Sequence, residues 1–83
     1  MKVQLRYFAS VREALGRGSE QRETQAATLA QLRDELTGQG EPYAQALAPG
    51  LAVRMALDQV MVQDDAPLRD GCEVAFFPPV TGG

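Results

Sequence analysis

The sequence predicts an α+β domain in which a mixed β-sheet carries one main helix packed on one face. Three observations predict it. Near both ends the chain alternates apolar and polar residues with the period of a half-buried strand, around Val3, Leu5 and Tyr7 and again around Val74 and Phe76. Between them Leu29, Leu32 and Leu36 recur at helical spacing. The length of 83 residues suits a single domain with a core too small to enclose a large active-site cavity.

Each element has its own local cause. Over Lys2 to Ala9, Val3, Leu5 and Tyr7 fall on one face and Lys2, Gln4, Arg6 and Phe8 on the other, the pattern of a strand with one buried side. Ser10-Val11-Arg12-Glu13 has the form of a capping box, the serine bonding forward and the glutamate back, and Gly16 offers a left-handed stop, so a short helical turn is predicted there. Ser19 to Gln25 is polar, and a second strand is assigned to it mainly because the topology needs one. Thr28-Leu29-Ala30-Gln31 repeats the capping-box form and opens the main helix, which Gly38 and Gly40 end. Its leucine stripe is expected to cover the sheet. Pro42 opens a second short helix with Tyr43 and Leu47 on one side, closed by Pro49-Gly50. A hairpin follows, with Val53, Met55 and Leu57 facing inward, a turn at Asp58-Gln59, and Val60 and Val62 continuing the inward set. Asp64 to Asp70 reads as a connecting loop, and the last strand runs from about Cys72 to Phe77 with Val74 and Phe76 inward. The long crossover through the main helix lets this last strand pair with the first in parallel.

Composition narrows the function. The chain has no histidine and no tryptophan, and no cysteine, histidine and carboxylate cluster at metal-ligand spacing, so neither imidazole catalysis nor a metal site is expected. The net charge of −3, with acids and bases interspersed, gives no basic stripe to neutralise phosphates, and nucleic acid is not an expected partner. No stretch approaches the roughly 20 apolar residues that span a bilayer, and the N-terminus lacks a signal-peptide pattern, so no membrane association and a cytoplasmic location are expected. The single Cys72 has no partner for an internal disulfide and no basic neighbour in sequence to favour a thiolate; it is expected to be inert.

The chemistry is expected at the end of the chain. Residues 1–77 read as the domain and 78–83 as a flexible tail. Pro78-Pro79 lifts the chain off the sheet, because proline fixes φ and has no N–H, and Gly82-Gly83 ends in a thin arm that a narrow cleft can admit. A terminal carboxylate is chemically useful there, since it can be activated as an acyl adenylate and then attacked by a nucleophile. Alternation also places Phe8, Met61 and Phe77 on the sheet face away from the helix, where large apolar residues meeting solvent mark an interface, with Phe8 and Phe77 adjoining near the tail's root. Arg6 and Arg54 point outward by the same count, and with Arg12 they are secondary candidates for pairing with a partner's acids.

Two stretches, Phe8-Ala9-Ser10-Val11-Arg12-Glu13 and Asp70-Gly71-Cys72-Glu73-Val74-Ala75-Phe76-Phe77-Pro78-Pro79-Val80-Thr81-Gly82-Gly83, resemble the small subunits of molybdopterin synthase. The resemblance runs over nearly the full length, and the Phe-Phe-Pro-Pro stretch joined to Val-Thr-Gly-Gly is its most specific part. It implies a ubiquitin-like β-grasp fold and a sulfur-carrier function. Gly83, preceded by Gly82, is then the residue adenylated with ATP by a ubiquitin-activating-like adenylyltransferase and converted by a sulfurtransferase to a thiocarboxylate. The tail, from Pro78 and Pro79 through Val80 and Thr81, inserts into the large synthase subunit, where sulfur passes to cyclic pyranopterin monophosphate and two transfers build the molybdopterin dithiolene. The resemblance further implies that Phe8, Met61 and Phe77 form the apolar contact with that subunit, in a heterotetramer of two small and two large subunits. No cofactor is bound permanently, and ATP is consumed by the activating partner. Cys72 and the apolar-poor Ser19–Gln25 depart from the expected pattern without touching the motif.

Three other readings stay open at this point. A thiamine-pathway sulfur carrier has the same fold, ending and activation chemistry, but such chains tend to be shorter and to lack the Pro-Pro. A ubiquitin-like protein modifier would join Gly83 to a lysine. A pure interaction domain would leave the tail inert.

Overall fold

The computed structural model describes residues 1–48 and 51–78, and the alternation at the start of the chain is realised directly in it. Strand β1 (Lys2–Tyr7) buries Val3, Leu5 and Tyr7 and leaves Lys2, Gln4 and Arg6 exposed. Helix α1 (Ala9–Leu15) follows at once, burying Val11 and Leu15 and stopping at Gly16 in the left-handed region at φ 75, where the Gly16 N–H donates to the Arg12 carbonyl. Strand β2 (Ser19–Glu23), helix α2 (Leu29–Thr37), the short helix α3 (Tyr43–Ala46), the hairpin of β3 (Arg54–Leu57) and β4 (Val60–Val62), and strand β5 (Glu73–Phe77) complete the order.

The sheet runs β2-β1-β5-β3-β4. Strands β1 and β5 are parallel, in the register Leu5↔Val74 and Tyr7↔Phe76, and every other pair is antiparallel. The predicted parallel pairing of first and last strands is therefore present at the centre of the sheet. Leu29, Leu32 and Leu36 of α2 are fully buried in one core with Val3, Leu5, Tyr7, Val74 and Phe76. The helix thus covers one face only, as predicted.

Three local expectations are corrected. The capping box at Ser10–Glu13 does not form: α1 begins two residues earlier, with Phe8 in extended backbone at its N-cap and no side-chain cap bond. The Phe8 N–H still donates to the Phe76 carbonyl, while the Phe8 carbonyl accepts from Val11 and Arg12, so strand pairing hands over to helix with no residue to spare and Ser10 already lies in the first turn. At α2 the box forms with a shift. Thr28 Oγ1 accepts from the Gln31 N–H at 3.3 Å, but the returning bond goes from the Ala27 N–H to Gln31 Oε1 at 2.8 Å, one residue before the cap. Val60, expected inward, is 63% exposed because it sits at the turn on the outermost strand, whereas Val62 packs partly against the core. The turn itself is where predicted, with Asp58 and Gln59 both at positive φ. The last strand starts at Glu73, one residue after Cys72, which is buried. Pro49-Gly50 lies outside the described residues. Among the described neighbours, the Arg33 guanidinium donates to the carbonyls of Leu47, Ala48 and Leu51 at 2.6 to 3.0 Å.

Strand β2 explains its own lack of apolar residues. Its inward face consists of Glu20 and Arg22, both half-buried, which bond to each other and to two tyrosines, while Arg22 Nε has no hydrogen-bond partner among the described residues. Tyr7 and Tyr43 both donate to Glu20 Oε2, at 2.8 and 2.6 Å, and Arg22 donates to Glu20 Oε1 at 3.1 Å while its guanidinium lies 5.3 Å from the centre of the Tyr43 ring. This cluster fastens β2 to β1 and to α3 without a hydrophobic contact. Burial alone would raise the Glu20 pKa, but the hydrogen bonds from Tyr43, Tyr7 and Arg22 outweigh it and hold the carboxyl below its ordinary range. A group with a lowered folded pKa stabilises the fold above its unfolded value, and that contribution is lost as pH falls through the folded value. Glu20→Gln is therefore expected to cost about 1–3 kcal/mol near neutral pH. Chemical denaturation should show the gap to the natural chain closing as the pH drops below about 4. Leu32→Ala, at a fully buried position, is expected to cost about 2–5 kcal/mol at any pH, read from the same experiment.

Candidate functional site

Because β1 and β5 run parallel as neighbours, their carboxyl ends emerge on the same side of the sheet. The register Tyr7↔Phe76 then brings the next residues, Phe8 and Phe77, together on the face away from α2. Their rings stack at 4.9 Å between centroids and 12° between planes. Phe8 is 37% exposed and Phe77 half-buried, the stack itself covering part of the latter. Met61, 52% exposed, lies on the same face opposite Ala56 of β3. The three predicted apolar contact residues thus share one face, two of them in direct contact.

Arginines edge this patch. Arg6 is placed with its guanidinium 5.7 Å from the centre of the Phe8 ring and 4.0 Å from the Glu73 carboxylate, an exposed pair that contributes little to stability. Arg54 is exposed beside Phe77, its register partner on β5, and makes no ion pair among the described residues. Arg12 is not brought to the patch. It lies across Gly18, where an added Cβ would come within 3.3 Å of the arginine Nε, and it lines a separate depression with Ala9, Gly16 and Arg17.

Pro78 is half-buried just beyond β5 and borders a groove that is also lined by Val11 of α1, Ala46 of α3 and Val53. Pro79, Val80, Thr81, Gly82 and Gly83, all predicted site residues, lie outside the described residues.

Sequence reasoning missed two members of this face. Ala56 and Ala75 are cross-strand partners on β3 and β5, pointing away from α2, yet they are only 3% and 5% exposed. They share that face with Arg54 and Phe77 through the strand alternation. Their small size was the only signal that a depression would form there. That depression holds about 280 Å³ between Phe8 and Phe77 on one side and Met61 on the other, with Arg6 and Glu73 at the rim.

Among the described residues no three histidine, cysteine or carboxylate side chains gather as a metal site, and no helix is long and apolar enough to cross a membrane. What the described residues present instead is an uncovered aromatic pair where β5 ends. A mixed sheet with its first and last strands parallel at the centre and one main helix on one face is a ubiquitin-like β-grasp body.

Comparison with known proteins agrees. Residues 5–83 match the ThiS family. The chain is 41% identical over 98% of its length, and 99% of the relative's, to a molybdopterin synthase sulfur carrier subunit from Escherichia coli. It is 38% identical over 93% of its length, and 94% of the relative's, to the corresponding subunit from Haemophilus influenzae. Its structure superposes with a TM-score of 0.67 and 26% identity, covering 100% of both chains, on a component of the protein–protein complex of subunits 1 and 2 of the molybdopterin-converting factor from Helicobacter pylori. The chain belongs to the ThiS family, on the side of the molybdopterin synthase sulfur carrier subunits.

Proposed function

We propose that this chain is the cytoplasmic sulfur donor of a heteromeric molybdopterin synthase, with Gly83 as its reactive carboxyl terminus and the Phe8, Met61 and Phe77 face as its seat on the large subunit. The observation that carries the reading is the stacked, uncovered Phe8–Phe77 pair at the root of the Pro-Pro-Val-Thr-Gly-Gly segment. A partner that buries the pair fixes the direction in which the tail leaves. The Helicobacter pylori relative was solved as a complex of subunits 1 and 2, which supports a large subunit as the partner.

The chemistry follows from the carboxylate. Its oxygen attacks the α-phosphate of ATP on an adenylyltransferase, releasing pyrophosphate and leaving an acyl adenylate at Gly83. The terminal sulfur of a persulfide on a sulfurtransferase attacks the acyl carbon and AMP departs; a thiol then cleaves the resulting acyl disulfide, becoming part of a disulfide itself and leaving the thiocarboxylate. This is a good nucleophile: its sulfur displaces an oxygen substituent from a side-chain carbon of cyclic pyranopterin monophosphate, and water then cleaves the resulting thioester, leaving sulfur on the pterin and restoring the carboxylate. Two such cycles build one dithiolene. None of these steps needs a side chain from the carrier, which fits a chain without histidine. Gly82 and Gly83 contribute by lacking a Cβ, which lets a narrow cleft close around the backbone. Acid, base and substrate-binding groups belong to the partners, in an assembly of two small and two large subunits.

Three outcomes are expected. Mass spectrometry of the chain isolated from cells making molybdenum enzymes should find one oxygen replaced by sulfur at Gly83; ladders of lysine-linked adducts without a thio form would instead favour a protein modifier. A chain extended by one residue beyond Gly83 should fold normally yet fail to exchange pyrophosphate with the adenylyltransferase, and normal exchange would refute the terminal chemistry. Phe77→Asp should weaken large-subunit binding at least tenfold in a titration while thermal unfolding of the free carrier changes by only a few degrees, since the ring lies half-exposed outside the main core.

A further inference from the structure

Four residues cross the open face in one row, Arg6 of β1, Ala75 of β5, Ala56 of β3 and Met61 of β4, each opposite the next in the strand register. Two long side chains stand at the ends and two methyl groups lie between them. No helix covers this face, yet the alanines are almost inaccessible, because Phe8, Phe77, Met61 and Arg6 rise around them. The result is a dip in an otherwise raised apolar face, its floor made of the smallest side chains that still hold a strand.

The two ends of the dip differ in charge. Toward the tail root stands Arg54, opposite Phe77 and without an ion pair among the described residues. Toward the other end stand Glu73 and Asp58, locked together by paired backbone and side-chain bonds: the Asp58 N–H donates to the Glu73 carbonyl at 2.8 Å, and the Glu73 N–H donates to Asp58 Oδ1 at 2.9 Å. The carboxylates at the far end are each already paired, Glu73 with Arg6 at 4.0 Å and Asp58 with Arg69 at 3.5 Å, whereas Arg54 on the tail side has no such partner among the described residues. An occupant's carboxylate is therefore favoured on the Arg54 side.

We propose that the Ala56–Ala75 dip is a socket for a single apolar side chain, leucine- to phenylalanine-sized, projected by the large synthase subunit, with a carboxylate of that subunit flanking it on the Arg54 side. The proposal rests on the docking reading above and goes beyond it by assigning specificity to two alanines and a direction to the bound segment. The dip is continuous with the Phe8, Phe77 and Met61 surface, so one partner element covers all of it. The alanines act by absence: any larger residue at either position occupies the space the incoming side chain needs.

Titration of the cognate large subunit against Ala75→Gly, Ala75→Val and Ala75→Leu carriers tests it, with Ala56→Val as an independent filling of the same dip and circular dichroism melting as the check on folding. Affinity is expected to stay near the natural value for Ala75→Gly and to fall with side-chain size, roughly tenfold for valine and up to a hundredfold for leucine, at unchanged melting temperature. Should Ala75→Leu fail to fold, Ala56→Val decides. Unchanged or tighter binding by the filled variants, in a preparation where Phe77→Asp still abolishes binding, overturns the socket and leaves the docking face standing; intact binding by Phe77→Asp as well overturns the docking reading itself. Arg54→Glu should slow association severalfold at low salt, with the difference fading as ionic strength rises, and an unaltered association rate overturns the flanking carboxylate.

Discussion

The parallel pairing of β1 with β5 is the constraint on which the rest of this structure depends. It joins residues about seventy positions apart in sequence and requires the chain between them to cross over the sheet, which brings α2 and its three buried leucines onto one face. The same pairing decides where the carboxyl end leaves. With Tyr7 opposite Phe76, Phe8 and Phe77 must meet, and both lie on the face that the crossover leaves bare. Core and exposed aromatic pair are thus two consequences of one register, since a slip by one residue would exchange the faces of every side chain on β5.

The molecule treats its two sheet edges differently. On one, β2 has no apolar inward residue and is held through Glu20, shared by Tyr7, Tyr43 and Arg22, a cluster that ties three elements by charge-assisted hydrogen bonds. On the other, the three-residue β4 carries the exposed Val60 and Met61. A short edge strand resists indiscriminate strand addition while still presenting a side chain to the open face. The polar edge therefore serves the fold, and the apolar edge serves the surface beside the tail.

Family membership fits this division of labour. On the proposed reading the carrier supplies a carboxyl terminus and a handle. The end of β5 is ordered to match: Phe76 turns inward to the core, Phe77 turns to the open face beside Phe8, and Pro78 follows half-buried beside a groove lined by α1 and α3 residues.

The sequence by itself determined the strands and helices whose side chains alternate or recur cleanly, such as β1 and α2, because periodicity records which face is buried. It also determined the outward placement of Phe8, Met61 and Phe77, and the Asp58-Gln59 turn. The start of α1, the exposure of Val60 and the separation of Arg12 from the patch were decided by tertiary structure, since each depends on what a distant strand or turn leaves room for. Strand β2 was assigned from the topology and is present at Ser19–Glu23, but its own residues gave little signal, since Glu20 and Arg22 become inward residues only once Tyr7 and Tyr43 stand beside them. The dip at Ala56 and Ala75 likewise exists only across strands, where two small side chains far apart in the chain fall opposite one another and their taller neighbours close around them.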